Sequence, residues 1–130
     1  MLTSLATPSK NDLVDLNKTT RDGDGTILNQ SKLDDIVFMR NTAFDYAIQD
    51  ANDPIQLGMA FAWCLVNEHV FFDGNKTTAR LALDFILTRN NHALTVPTSD
   101  QAIIDIVDDL HQRDLSAVMT AVQNVSAFVL

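Results

Sequence analysis

Along most of this chain apolar residues recur at intervals of three and four, and strict alternation is rare, so helices dominate the expected structure. Ser31 can cap a helix over residues 32–50, whose buried stripe would be Leu33, Ile36, Val37, Phe44, Ala47 and Ile48. Asp53-Pro54 combines an acidic cap with proline at a first helical position, which starts a second helix running to about Glu68. That helix would bury Leu57, Ala60, Phe61, Cys64 and Leu65. A loop follows, and then a helix from Lys76 to about Asn90 that turns Ala79, Ala82, Leu83 and Ile86 inward.

Asn90-Asn91 suits a left-handed helix end, because asparagine tolerates positive φ. After Pro97, Thr98 or Ser99 can cap a helix to about His111, and Asp114 a last one to about Ser126. Extended signals are few: Thr26–Asn29, following a glycine turn, suits a short hairpin or flap, and Leu94–Val96 is a second brief candidate. The expected fold is therefore all-α, a compact bundle of about six helices with its central loop between two antiparallel core helices. Neither repeat nor linker interrupts residues 1–130, which are expected to form one domain.

Composition narrows the setting. Hydrophobic residues make up 46% of the 130 positions and mean hydropathy is +0.02, as expected of a globular domain with its own core. The apolar runs are much shorter than a membrane span, and no basic-then-apolar leader opens the sequence, so the expected compartment is the cytoplasm. The single cysteine, Cys64, sits between Trp63 and Leu65 and is expected to be a buried thiol. Seventeen acids against nine bases leave a net charge of −8, which argues against nucleic acid as a partner because phosphate contacts need clustered cations. Against that background Lys76, Arg80 and Arg89 form a small basic island on one helix, unless Arg80 pairs with Asp84 one turn on.

Residues 69–80, His-Val-Phe-Phe-Asp-Gly-Asn-Lys-Thr-Thr-Ala-Arg, concentrate the chemistry. His69 can exchange a proton near neutral pH, and Asp73 is a hard oxygen ligand suited to Mg²⁺. Gly74 lets backbone approach a ligand closely, and Asn75 is a good helix cap, so free N–H groups should follow it and face an anion. Lys76 and Arg80, at i and i+4, can reach the same phosphates. The chemistry implied is phosphoryl or nucleotidyl transfer. By contrast His92, in a turn, and His111, near a helix end, are expected at the surface.

A second constellation competes. Residues 20–31 match the middle of an EF-hand calcium loop, with Asp22 and Asp24 at ligand positions, Gly25 at the turn and Ile27 at the apolar position. Thr20 and Ser31 stand where the first and last carboxylates belong, so half the charge is missing.

The segment His69-Val70-Phe71-Phe72-Asp73-Gly74-Asn75-Lys76 resembles the signature of the Fic/Doc family, H-x-F-x-[D/E]-G-N-[G/K]-R-x-x-R. Lys76 in place of glycine resembles the Doc branch, the death-on-curing toxins of toxin–antitoxin modules. The likeness is strong over residues 57–96. It implies that His69 is the general base toward a protein Ser or Thr hydroxyl and that Phe71 anchors the loop. It implies further that Asp73 holds Mg²⁺ against ATP, that Gly74, Asn75 and Thr77 belong to the phosphate cradle, and that Lys76 and Arg80 neutralise charge on the transferred group.

The departures from the family pattern carry information too. Val70 replaces a proline, and Thr77 stands where the family has arginine, a loss on the order of 2–4 kcal/mol of transition-state stabilisation unless Arg80 substitutes from one turn further along. By resemblance a lysine at position 76 favours transfer of the γ-phosphoryl group to a translation factor such as elongation factor Tu. AMP transfer, a catalytically degenerate Fic scaffold, and a calcium-binding module using Asp22 and Asp24 are the alternatives. The self-inhibiting [S/T]-x-x-x-E-[G/N] helix of many Fic proteins has no counterpart, because Glu68 is the only glutamate. Inhibition is therefore expected in trans, from an antitoxin.

Overall fold

In a computed structural model, residues 3–97 and 99–130 are described. Seven α-helices and one 3₁₀ turn follow one another among them: α1 (Lys10–Thr19), α2 (Gln30–Val37), α3 (Thr42–Ala47), α4 (Pro54–Asn67), α5 (Asn75–Arg89), α6 (Gln101–Asp108), the turn Asp109–His111, and α7 (Ser116–Ser126). The all-α expectation holds. α4 is the central element, packed most extensively against α5 and touched also by α2, α3, α6 and α7. It is buried on nearly every side, with Met59, Ala62 and Trp63 enclosed as well as the expected Leu57, Ala60, Phe61, Cys64 and Leu65. A helix that apolar all round can only be a core helix. Burial also pushes the Cys64 thiol far up, so it stays protonated and inert.

The start and stop signals behave unequally. Asp53 accepts from the N–H groups of Ile55 and Gln56 and starts α4 at Pro54, as its sequence predicts. α5 ends with Asn91 at φ 64°, where the N–H groups of His92 and Asn91 bond back to Leu87 and Thr88, a left-handed helix end. The helix expected over 32–50 is two helices. Asn29, not Ser31, caps α2, and α2 ends where Met39 takes φ 55° and Arg40 N–H returns to the Asp35 carbonyl. Asn41 then caps α3. Neither glycine nor proline marks this break; the left-handed turn falls on methionine, and beyond it Phe44 and Ala47 of α3 are buried in the core.

Asp100 caps α6 in place of the expected Thr98 or Ser99, and Thr98 lies outside the described residues. Leu115, not the expected Asp114, holds the cap position of α7; Asp114 stands one residue earlier and accepts the Ser116 N–H, and the hydrogen bonds from Ser116 hold its carboxyl below the usual range. The two extended candidates are real but form no hairpin. Ile27 bridges antiparallel to Phe71 and Leu94 to Val129, so each short segment pairs with a distant part of the chain. No helix among the described residues is long and apolar enough to cross a membrane.

Candidate functional site

The loop between α4 and α5 is built from its anchors. Asn67, at the end of α4, donates to the Trp63 and Leu110 carbonyls, and Arg113 donates to the Asn67 carbonyl at 2.8 Å. Glu68 is tied to Lys32 at 2.8 Å and raises the lysine's affinity for its proton. Against this fixed end His69 adopts φ 49°, a left-handed conformation that turns the chain off the helix axis and leaves the ring exposed. Phe71 is fully buried and pins the middle of the loop.

Around Phe71 nearly every polar group has a partner. Asn75 accepts from the Phe71 N–H at 3.0 Å and donates to its carbonyl at 2.8 Å. The Val70 carbonyl accepts from Leu28 and Asn29, and Phe72 donates to Thr26. The expected cap role of Asn75 is thus corrected: Gly74, at φ 78° and without a side chain to cap with, precedes the helix, and Asn75 is its first residue. The asparagine side chain closes the loop, because an amide has both a donor and an acceptor to give one backbone unit. No side chain caps α5, and the first N–H groups of any helix have no partner within it.

Beneath the loop lies a polar group that the pattern of apolar positions did not reveal. Asn17 of α1, 1% exposed, donates to the Asp73 carbonyl at 2.8 Å and to Thr78 Oγ1 at 3.0 Å, and accepts from the Gly25 N–H at 2.9 Å. Thr78 donates in turn to the Gly74 carbonyl, while Thr20 joins Asn17 to Gly23. A Cβ on Gly74 would lie 2.5 Å from Thr20 Oγ1, and one on Gly23 2.4 Å from the Asn17 carbonyl. Gly74 therefore lets the 69–75 loop press on residues 20–23, while Gly23 lets the chain fold back on the end of α1. Ser9-x-x-Asp12, a reciprocal cap present in the structure, could have announced α1 from sequence, but nothing local announces a buried Asn17.

Calcium-loop geometry is not what residues 20–31 adopt. Asp24 folds back onto Thr26, whose side chain and N–H hold its carboxyl below the usual range, while Asp22 faces the cleft described next. No group of three His, Cys, Asp or Glu side chains that could hold a metal ion by themselves occurs among the described residues.

A cleft of about 500 Å³ opens over the start of α5. Its walls bring together the residues singled out from sequence: His69, Asp73, Gly74, Asn75, Lys76, Thr77 and Arg80. Asp22, Val66, Phe72, Ile104, Val107 and Asp108 complete it. Arg89 is elsewhere, stacked on Phe85 at 4.7 Å, so the basic island reduces to Lys76 and Arg80. Arg80 does not pair with Asp84: the two ion pairs among the described residues are Lys32–Glu68 and Arg40–Asp35. Burial alone raises the Asp84 carboxyl, as it would if no cation served it. Arg80 Nε is enclosed yet has no hydrogen-bond partner, an unsatisfied donor beside an open cleft.

These groups suit a phosphate ester. Lys76, Arg80 and the first N–H groups of α5 can face its oxygens, and Asp73, exposed at the same rim, can add a carboxylate to a Mg²⁺ whose remaining ligands are phosphates and water. The Fic/DOC family model matches residues 10–87, more than half of the chain. The chain belongs to the Fic/DOC family. No curated protein and no solved structure matches it. Fic/DOC proteins modify other proteins, usually by transferring a nucleotide-derived group, and the match covers α1 with Asn17 as well as the whole 69–80 segment. It ends before α6, whose Ile104, Val107 and Asp108 are nonetheless part of the cleft.

Proposed function

We propose that this Fic/DOC protein is a Doc-type toxin that transfers the γ-phosphoryl group of ATP to a Ser or Thr hydroxyl of a protein, with a translation factor such as elongation factor Tu as the target. The observation that carries the transferase reading is Arg80: its Nε is buried, unpartnered and at the cleft shared with Lys76 and His69. A scaffold that had lost its ligand would be expected to pair such a donor with protein, and Asp84 is one turn away and unused. Lys76 supports the γ-transfer and Doc assignments by its likeness to that branch.

In this reading the exposed His69 ring takes the hydroxyl proton as the oxygen attacks phosphorus. The new P–O bond forms as the bond to the β-phosphate oxygen breaks, and ADP leaves. Lys76, Arg80 and the α5 N-terminus neutralise the charge that accumulates on the departing and transferred oxygens. Mg²⁺, held through Asp73, would supply further charge neutralisation between the phosphates. Arg80 takes over from the arginine that the family pattern has at position 77, occupied here by threonine. Glu68 is committed to Lys32 and Asn41 and lies outside the cleft, which favours inhibition in trans by an antitoxin.

The deciding experiment incubates the protein and His69→Ala with Mg²⁺, cell lysate and ATP labelled at either the α or the γ position. γ-Label on a protein, lost with His69→Ala, is the expected result. Label from the α position alone would replace the kinase reading with AMP transfer, and no label from either would leave a scaffold.

A further inference from the structure

The cleft is chemically two-sided. The start of α5 contributes Lys76 and Arg80 to its lining, whereas α6 contributes Ile104, Val107 and Asp108, joined by Val66 of α4. Positions 104, 107 and 108 are spaced three and four apart, so one face of α6 presents them together. Asp108 is only partly exposed, and its carboxylate forms no ion pair among the described residues even though two cations share its cleft. Its backbone is held independently, the carbonyl lying 2.7 Å from His111 Nδ1.

An inorganic phosphate chain has no use for an apolar wall and is repelled by a carboxylate. A nucleoside has use for both: a flat base covers apolar surface, and its N–H or ribose O–H groups donate to an acceptor. The cavity volume of about 500 Å³ is within the usual range for a ligand of nucleotide size. We infer that α6 is the nucleoside-reading wall of this cleft, with Asp108 as a specificity-determining acceptor for a donor group of the base or ribose and with the partly exposed Ile104 and Val66 against the base. The inference rests on the nucleotide-dependent transferase reading above. It assigns nucleoside recognition to a helix beyond the segment that matches the family, which ends at residue 87.

Calorimetry with two Mg²⁺-loaded ligands, ATP and tripolyphosphate, tests it on the wild-type protein, Asp108→Ala, Asp108→Asn and Arg80→Ala, each checked for wild-type circular dichroism. Asp108→Ala should weaken ATP about tenfold, the effect of losing a charge-assisted hydrogen bond, and leave tripolyphosphate unchanged or slightly tighter. Asp108→Asn, which keeps an acceptor, should recover part of the loss. Arg80→Ala should weaken both ligands. Equal affinity of the wild type for ATP and tripolyphosphate, unchanged ATP affinity in Asp108→Ala, or equal losses for both ligands in that variant would each overturn the nucleoside wall. If neither ligand bound the wild type, or if Arg80→Ala affected neither, the transferase reading itself would fall and take the wall with it.

Discussion

Residues 69–75 and residues 76–80 adjoin in the chain and line one cleft, yet they differ in how their polar groups are satisfied. In the first segment Phe71, Asn75, Val70 and the Asp73 carbonyl are all bonded to protein, through Asn17 and the extended residues 26–29. In the second, Lys76 and Arg80 form no ion pair among the described residues, and Arg80 Nε has no partner. Unsatisfied buried donors cost about 1–3 kcal/mol each, so folding alone does not favour them. The contrast separates a hydrogen-bonded frame from the two cations that it holds beside the cleft.

Five substitutions, one of them in combination, break or sharpen that contrast, in falling order of effect. Arg80→Ala removes the unpaired cation and should lower phosphotransfer about 10²–10³-fold with thermal stability nearly intact. Adding Thr77→Arg to it should restore part of the activity, since the family's own position for a cation is then filled; a double variant as slow as Arg80→Ala would show that residue 77 cannot face the phosphates. Asn17→Leu acts on the frame instead. It leaves the Asp73 carbonyl and the Gly25 N–H without their partner and should cost about 3 kcal/mol in urea unfolding. An unchanged midpoint there would mean that the loop does not depend on this group.

Gly74→Ala places a Cβ at a backbone with φ 78°, 2.5 Å from Thr20 Oγ1, and should cost about 2 kcal/mol while also disturbing the first N–H groups of α5. The smallest effect concerns Asp84. Burial raises its folded-state carboxyl above the unfolded value of 3.8, so native-state stability falls as the pH rises from 3.8 through that raised value and stays lower above it. Asp84→Asn should therefore melt slightly higher than wild type at neutral pH, with the difference vanishing below pH 3.8, where both states carry the proton. A neutral-pH difference of the opposite sign would mean that Asp84 is served by a cation, and Arg80 would no longer be free.

How far the sequence could be read depended on whether the cause was local. Asp53-Pro54 starts α4 and Asn91 ends α5 because caps and left-handed turns act within a few residues. Met39 defeats the same logic: it takes a left-handed turn that no local glycine, asparagine or proline signals, before a helix whose Phe44 and Ala47 are buried in the core. Asn75 looks like a cap in sequence and becomes a loop clasp, since the buried Phe71 offers its backbone at closer reach. Asp22 and Asp24 look like a calcium loop because aspartate and glycine serve tight turns and metal sites alike.

By itself the sequence determined the all-α class, a helix from Pro54 with a buried apolar face, and the 69–80 segment as the place where a histidine, a carboxylate and two cations lie together. Those follow from periodicity and from side-chain chemistry, which survive without knowledge of neighbours. Tertiary structure alone decided that Asn17 holds the loop from below, that Glu68 is bound to Lys32, that Arg80 is free of Asp84, and that α6 supplies part of the cleft lining. Each of these depends on which groups packing brings within about 3 Å, and hydrogen bonds and ion pairs at that range are written in space before they can be read in the chain.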